Sequence, residues 1–253
     1  MLCGIYRPDS GKITIDGEPV YENIAVKRRI YYISDDQYFF SNCTPRELAR
    51  YYAGIYENFN MARFTDLMKA FDLDENRKIN TFSKGMKKQV SIICGLAAQT
   101  DYIFCDETFD GLDPVMRQTV KSLFAADVVE RQMTPIIASH NLRELEDICD
   151  HIGLLHKGGI LLNKDLDDMK LNVHKLQCVL PEGASLSGLG LEILQQETRG
   201  SLQTIIVRGE EEKLLAKVAT LQPVFMEVLP LTLEEIFISE TEVAGYDIKK
   251  LFV

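Results

Sequence analysis

The chain has 253 residues, enough for one large domain or a medium domain plus a small one. Its 46% hydrophobic and 26% charged composition is ordinary for a globular protein, and a formal charge of −10 argues against nucleic acid as the main ligand. No apolar run approaches the ~20 residues needed to cross a bilayer. Residues 1–10 carry no signal-peptide pattern, and the six cysteines form no CxxC pair, which favours a reduced, cytosolic setting over a disulfide or zinc framework.

Ile13 and Ile15 alternate with polar neighbours ahead of Asp16-Gly17, which predicts a hairpin. Residues 30–33 read as a buried strand. Thr44-Pro45-Arg46-Glu47 is a capping box with proline at the first helical position, predicting a helix to about residue 55. A second helix is predicted over 61–71, with Phe64, Leu67, Met68 and Phe71 on one face. Ser83-Lys84-Gly85 opens a third, whose apolar face carries Met86, Val90, Ile93 and Ala97. Residues 102–105 form an apolar strand, and Asp113-Pro114 opens the next helix. Residues 135–138 are extended, Asn141-Leu142-Arg143-Glu144 caps a further helix, and 152–155 with 160–162 predict a hairpin over Lys157-Gly158-Gly159.

Alternating strands and helices predict a mostly parallel α/β sheet. The consecutive helices between 44 and 100 read as a helical insertion. From about residue 166 the pattern changes. Leu176, Cys178 and Leu180 alternate, 192–196 and 202–207 flank Arg199-Gly200, 210–221 is helical and 224–229 extended. A small α+β domain is therefore expected over 166–253.

The chemistry concentrates at the end of the 102–105 strand, in the acids Asp106 and Glu107. An apolar strand that delivers carboxylates to its C-terminal end is how α/β proteins place Mg²⁺ ligands and a general base beside a phosphate; alone, the pair reads equally well as a solvated loop. Three further features stand in order around it. FSKGMKKQ, from Phe82, puts Ser83 and Gly85 at a helix N-terminus, an anion site or simply an N-cap. Gly111-Leu112-Asp113 makes a tight turn or a helix start. His140 follows a strand, where a lone histidine is more often structural than catalytic.

In that order the features resemble the nucleotide-binding subunit of ABC transporters. FSKGM resembles the family's signature motif in a Ser-x-Gly form, YIFCDE its Walker B strand and catalytic glutamate, GLD its D-loop, and Ser139-His140 its H-switch. The resemblance spans roughly residues 1–163. It implies a P-loop NTPase-like ABC ATPase core of mixed sheet and helical subdomain, with an ATPase domain over 1–165, the helical subdomain at about 40–100 and an accessory domain over 166–253.

Carried over residue by residue, the resemblance implies that Asp106 holds Mg²⁺ through water and that Glu107 polarises the attacking water. His140 would contact the γ-phosphate of ATP. Ser83, Lys84, Gly85 and Met86 would bind nucleotide held by an opposing subunit, and Asp113 would communicate across the dimer. It further implies a homo- or heterodimer, a membrane subunit as partner and a peripheral position on the inner face of the cell membrane. Tyr38, Phe39, Phe40, Tyr51 and Tyr52 are candidates for the membrane-subunit contact, Tyr51 and Tyr52 equally for the core.

The sequence also departs from the family. Lys84 stands where a glycine is common in the signature and Met86 where a glutamine is, a variant resembling ABC-2-type exporters. The glutamine expected after the third strand aligns with Asp35, a possible Mg²⁺ neighbour; Gln37 falls two residues late and is the reserve. No GxxxxGK[ST] phosphate loop occurs anywhere, and Met1-Leu2-Cys3-Gly4-Ile5 resembles the end of the helix that such a loop opens. The core is thus expected to lack its first strand and phosphate loop. Three explanations compete: a truncated chain, a degenerate subunit lending its signature to a partner, or a non-enzymatic regulator. The first is favoured, because Glu107 and His140 would serve nucleotide held by their own chain's phosphate loop and a deleted central strand exposes sheet edges. A soluble ABC protein acting on DNA or ribosomes is a further reading, against which stands the lack of a second ATPase half, a coiled coil or a basic stripe.

Overall fold

The structure is a computed structural model that describes residues 1–171 and 173–243. It divides into two compact units, Met1–His140 and the part from Asn141 onward. That division falls earlier than the 165/166 domain limit expected from the change of sequence pattern.

In the first unit, β1 (Thr14–Ile15) and β2 (Glu18–Pro19) form the expected hairpin. Asp16 and Gly17 both take positive φ there, as a two-residue turn between right-twisted strands requires. Helix α1 (Ile24–Arg28), capped by Asn23, has no counterpart in the sequence reading. Strand β3 is Ile30–Ile33. The helical block follows as α2 (Pro45–Ala53), α3 (Met61–Ala70) and α4 (Lys84–Ala98). The Thr44–Glu47 capping box is fully formed, while α2 and α3 stop short of the predicted residues 55 and 71. Strand β4 (Tyr102–Asp106), α5 (Pro114–Arg131) and β5 (Thr134–Ala138) complete the unit.

The sheet runs β3-β4-β5, all parallel, with Ile33 beside Cys105 and Asp106 beside Ala138. Among the described residues β5 pairs with β4 alone, so its outer edge is open. Alternation along β4 sorts its side chains. Ile103 and Cys105 are buried, while Tyr102 and Phe104 pack with Ile13 and Ile15 of the hairpin against Val20, Val26 and Ile30. Helix α4 lies close on the sheet because position 95 is glycine. A Cβ there would stand 2.9 Å from the Tyr31 ring and 3.0 Å from Ile103 Cδ1. That close approach fixes where the N-terminus of α4 points.

The second unit opens with the short helix α6 (Leu142–Glu146), where Asn141 takes the cap position without a side-chain cap bond. The hairpin β6 (His151–His156) and β7 (Gly159–Asp165) turns on Lys157-Gly158 alone; Gly159, expected in the turn, pairs with His156 instead. Helix α7 (Leu166–Leu171) leads to β8 (Val173–Val179), β9 (Glu192–Arg199), β10 (Leu202–Arg208), α8 (Glu211–Ala219), β11 (Phe225–Leu229) and α9 (Leu233–Val243). The β9–β10 turn is Gly200-Ser201, not Arg199-Gly200, since Arg199 pairs with Leu202. These four strands form an antiparallel sheet in the order β11-β8-β10-β9. Leu176, Cys178, Ile205 and Val207 pack on Leu214 and Val218 of α8. On the other face Lys175 pairs with Glu235 of α9 at 2.6 Å.

The β6–β7 hairpin carries a pH-sensitive pair. His151 Nδ1 lies 2.6 Å from Asp165 Oδ1, and Nε2 lies 2.8 Å from Asn163 Oδ1. The bond to Asp165, then that to Asn163, raises the His151 pKa above the ordinary histidine value. A raised folded pKa means the pair's contribution is complete below about pH 6.5, where the unfolded histidine is already charged, and fades as pH rises through the folded value. An NMR titration of His151 should therefore find a midpoint above that of a free histidine; a midpoint at or below it refutes the pairing.

Candidate functional site

The site is assembled at the C-terminal ends of β4 and β5, where parallel sheets place their ligands. Asp106 is the last residue of β4, and Glu107 continues the ladder by donating its N–H to Ala138 O at 2.9 Å. Glu107 then turns into the left-handed region at φ +46°. That turn points its carboxylate at the residues following β5. Oε1 accepts the His140 backbone N–H at 3.1 Å and lies 2.9 Å from His140 Nδ1, while Oε2 accepts the Ser139 hydroxyl at 3.3 Å. The His140 side chain is 74% exposed.

Asp106 accepts the Tyr32 hydroxyl on Oδ2 at 3.1 Å. Burial, and then this bond, pushes the Tyr32 phenol up against an opposing bond to Ser34. The described residues hold no cluster of three metal-ligating side chains. A cation here would draw on Asp106, with water and phosphate oxygens supplying the rest, which is the usual way Mg²⁺ is held. Beside Asp106 a groove of about 300 Å³ runs over the sheet, lined by Met1, Leu2, Tyr32, Phe104, Ile136 and their neighbours.

Ser83 is the N-cap of α4, accepting from Met86 N–H at 3.2 Å, and Lys84, Gly85 and Met86 form the first turn. Ser83 thus bonds within its own helix rather than to Glu107 or His140. Gly85 has a packing reason: a Cβ there would stand 3.2 Å from Gly111 O. The same contact holds the α4 N-terminus against the turn that follows Glu107. Asp113 caps α5, its Oδ1 accepting from Val115 and Met116 N–H at 3.0 Å each.

The Asp35 carboxylate lies 3.3 Å from Lys88 Nζ, and Gln37 Nε2 is buried with no partner among the described residues. Tyr32 and Lys88 bond Asp106 and Glu107 although no sequence motif marks them, and Ser139 bonds Glu107 in its own right. Tyr32 had one available signal: its place in the strand that pairs with β4.

Residues 1–110 match the family model described as ABC transporter. The chain is 30% identical over 240 residues to the ABC transporter ATP-binding protein YtrB of Bacillus subtilis, covering 95% of this chain and 82% of that one. The chain belongs to the ABC transporter ATP-binding family. It is also 32% identical over 173 residues to the bacitracin transport ATP-binding protein BcrA of Bacillus licheniformis, covering 67% of this chain and 56% of BcrA. A solved ATP-binding subunit of an ABC transporter superposes with a TM-score of 0.60 at 25% identity, covering 67% of this chain and 72% of that structure. CbiO1 of Clostridium perfringens, part of the ABC transporter complex cbiONQ, has the same fold at a TM-score of 0.53 and 22% identity.

ABC ATP-binding family membership implies nucleotide binding, and the α/β core with its helical block is the family's fold. No helix among the described residues is long and apolar enough to cross a membrane. From the loop after β3, a run of ring contacts leads from exposed Tyr38 to Phe40, to Tyr51 and Tyr52 of α2 and to the buried Tyr31 of β3, with centroid spacings of 6.3, 5.0, 5.6 and 5.4 Å. Tyr38 is 83% exposed, and half of Tyr51 is accessible too.

Proposed function

We propose that this chain is the ATP-binding subunit of an ABC exporter, acting on the inner face of the membrane with a separate membrane subunit. The observation that carries the reading is the Glu107 carboxylate held by Ser139 and His140 beside Asp106. A carboxylate fixed in this way is suited to polarising a water for attack on a phosphate, with Mg²⁺ on Asp106 neutralising the developing charge. The first turn of α4, with Ser83, Lys84, Gly85 and Met86, would face nucleotide carried by a second subunit, where a helix N-terminus favours a γ-phosphate. Asp113 would lie at the same dimer contact.

A second reading draws on a specific contrast. The α4 turn is intact, whereas the sequence contains no GxxxxGK[ST] loop. The chain would then be a non-catalytic subunit that completes a site on a full-length partner. Substituting Glu107 in a chain extended by a phosphate loop separates the two, because only the first reading needs it for turnover.

The exposed rings of Tyr38 and Phe40 supply an apolar surface for coupling segments of the membrane subunit. Co-expression with an exporter membrane subunit tests the assignment, and the chain should co-purify with it. Alanine at both Tyr38 and Phe40 should weaken that co-purification; an unchanged yield removes this surface from the reading.

A further inference from the structure

Lys88 lies one turn into α4 and is 1% exposed. A buried ammonium is costly unless its donors are used. This one donates to the Glu107 backbone carbonyl at 2.6 Å and to Asp35 Oδ1 at 3.3 Å. The same carbonyl also accepts the Asp110 N–H at 3.2 Å. Glu107 needs such restraint. Its φ of +46° suits glycine, and a glutamate stays there only when its surroundings hold it. Its N–H is fixed by Ala138, its carbonyl by Lys88 and Asp110, and the conformation so held is the one that sends the carboxylate to Ser139 and His140.

We propose that Lys88 is a positioning residue for Glu107, with Asp35 as its anchor. The inference rests on Glu107 being the water-polarising carboxylate of the proposed function. It gives Asp35 a role different from that of a metal neighbour, since one of its oxygens is engaged by the ammonium. It also gives a path between two parts of the site. Ser83 and Gly85 begin the helix that carries Lys88, so a shift of the α4 N-terminus on meeting an anion moves the ammonium that holds the Glu107 carbonyl.

The test reads the Glu107 hydrogen bond directly in the full chain. The His140 amide donates to Glu107 Oε1, so its proton resonance reports whether that carboxylate is in place. Glu107→Gln sets the position for a lost carboxylate. Lys88→Met should move the His140 amide by at least half of that difference, while Lys88→Arg, which keeps charge and donors, should leave it near wild type. A His140 amide that stays put in Lys88→Met, or that moves equally in the Met and Arg variants, overturns the proposal. Should Lys88→Met fail to fold, Asp35→Asn replaces it: a shift in the same direction supports the anchor, and an unmoved resonance overturns it. The readout is a hydrogen bond and not turnover, so it stands or falls separately from the ATPase reading.

Discussion

The 253-residue chain is expected to show no detectable ATP hydrolysis, and the same chain preceded by a strand, a GxxxxGK[ST] loop and the helix it opens is expected to gain it. Phosphoryl transfer depends almost wholly on holding the phosphates and metal in place, with little covalent chemistry for the protein to do. In the proposed function Glu107 and His140 act together on a phosphate, but the sequence contains no GxxxxGK[ST] backbone cradle to present one. The structure has room for such a segment. The outer edge of β5 is open, and the groove over Phe104 and Ile136 is apolar until it reaches Asp106. A parallel strand on that edge would end level with Ala138, next to Glu107.

In the extended protein, Glu107→Gln should lower phosphate release about 10²–10⁴-fold, the usual worth of a positioned general base. Binding of ATP should change far less, because the amide keeps the shape of the carboxylate. Steady turnover by the unextended chain sinks the first expectation. A Gln variant that keeps more than a tenth of the rate sinks the second and favours the reading in which this chain only completes a partner's site.

Local signals made much of this legible. Strand β3 spans the predicted residues 30–33, and the Thr44 capping box and the Asp113 cap form as written, because each is set by residues within one turn of one another. Asp106 and Glu107 fall at the C-terminal end of β4 and His140 just beyond β5, because the apolar runs before them form those strands. Helix α1 was missed because its five residues are too few to show a period. Both displaced turns follow from strand pairing, which decides whether Gly159 or Arg199 ends a loop or joins a ladder. Lys88 was opaque for a related reason. In the run Lys87-Lys88-Gln89 it looks like a solvated helix face, and only the seating of α4 on the Glu107 turn buries it.

Long-range pairing was the least visible, and it supports the largest stability effect expected here. Asp127 on α5 is fully buried and accepts from Arg63 of α3 at 2.5 Å and from Arg131 at 2.8 Å. The first partner is 64 residues away, so no spacing rule links them. Asp127→Ala should cost about 3–5 kcal/mol, the range seen when one member of a buried ion pair is removed and the others stay. Two guanidiniums would be left largely buried and facing each other. Arg63→Ala should cost less, because Arg131 still neutralises the carboxylate, and the double variant should fall short of the sum because the second change removes a charge that the first left stranded. Urea unfolding followed by tyrosine fluorescence can measure all three; a loss below about 1 kcal/mol for Asp127→Ala would mean that the cluster behaves as a surface pair. The consequence extends to the site. Helix α3 packs on α4 and is tied to α5 through Asp127. Loosening that tie lets the helical block shift against the sheet, and with it the α4 turn and the ammonium of Lys88. Asp127 variants that remain folded should therefore disturb the His140 amide, whereas an equally destabilising cavity in the β8–β11 sheet, such as Ile205→Ala, should not.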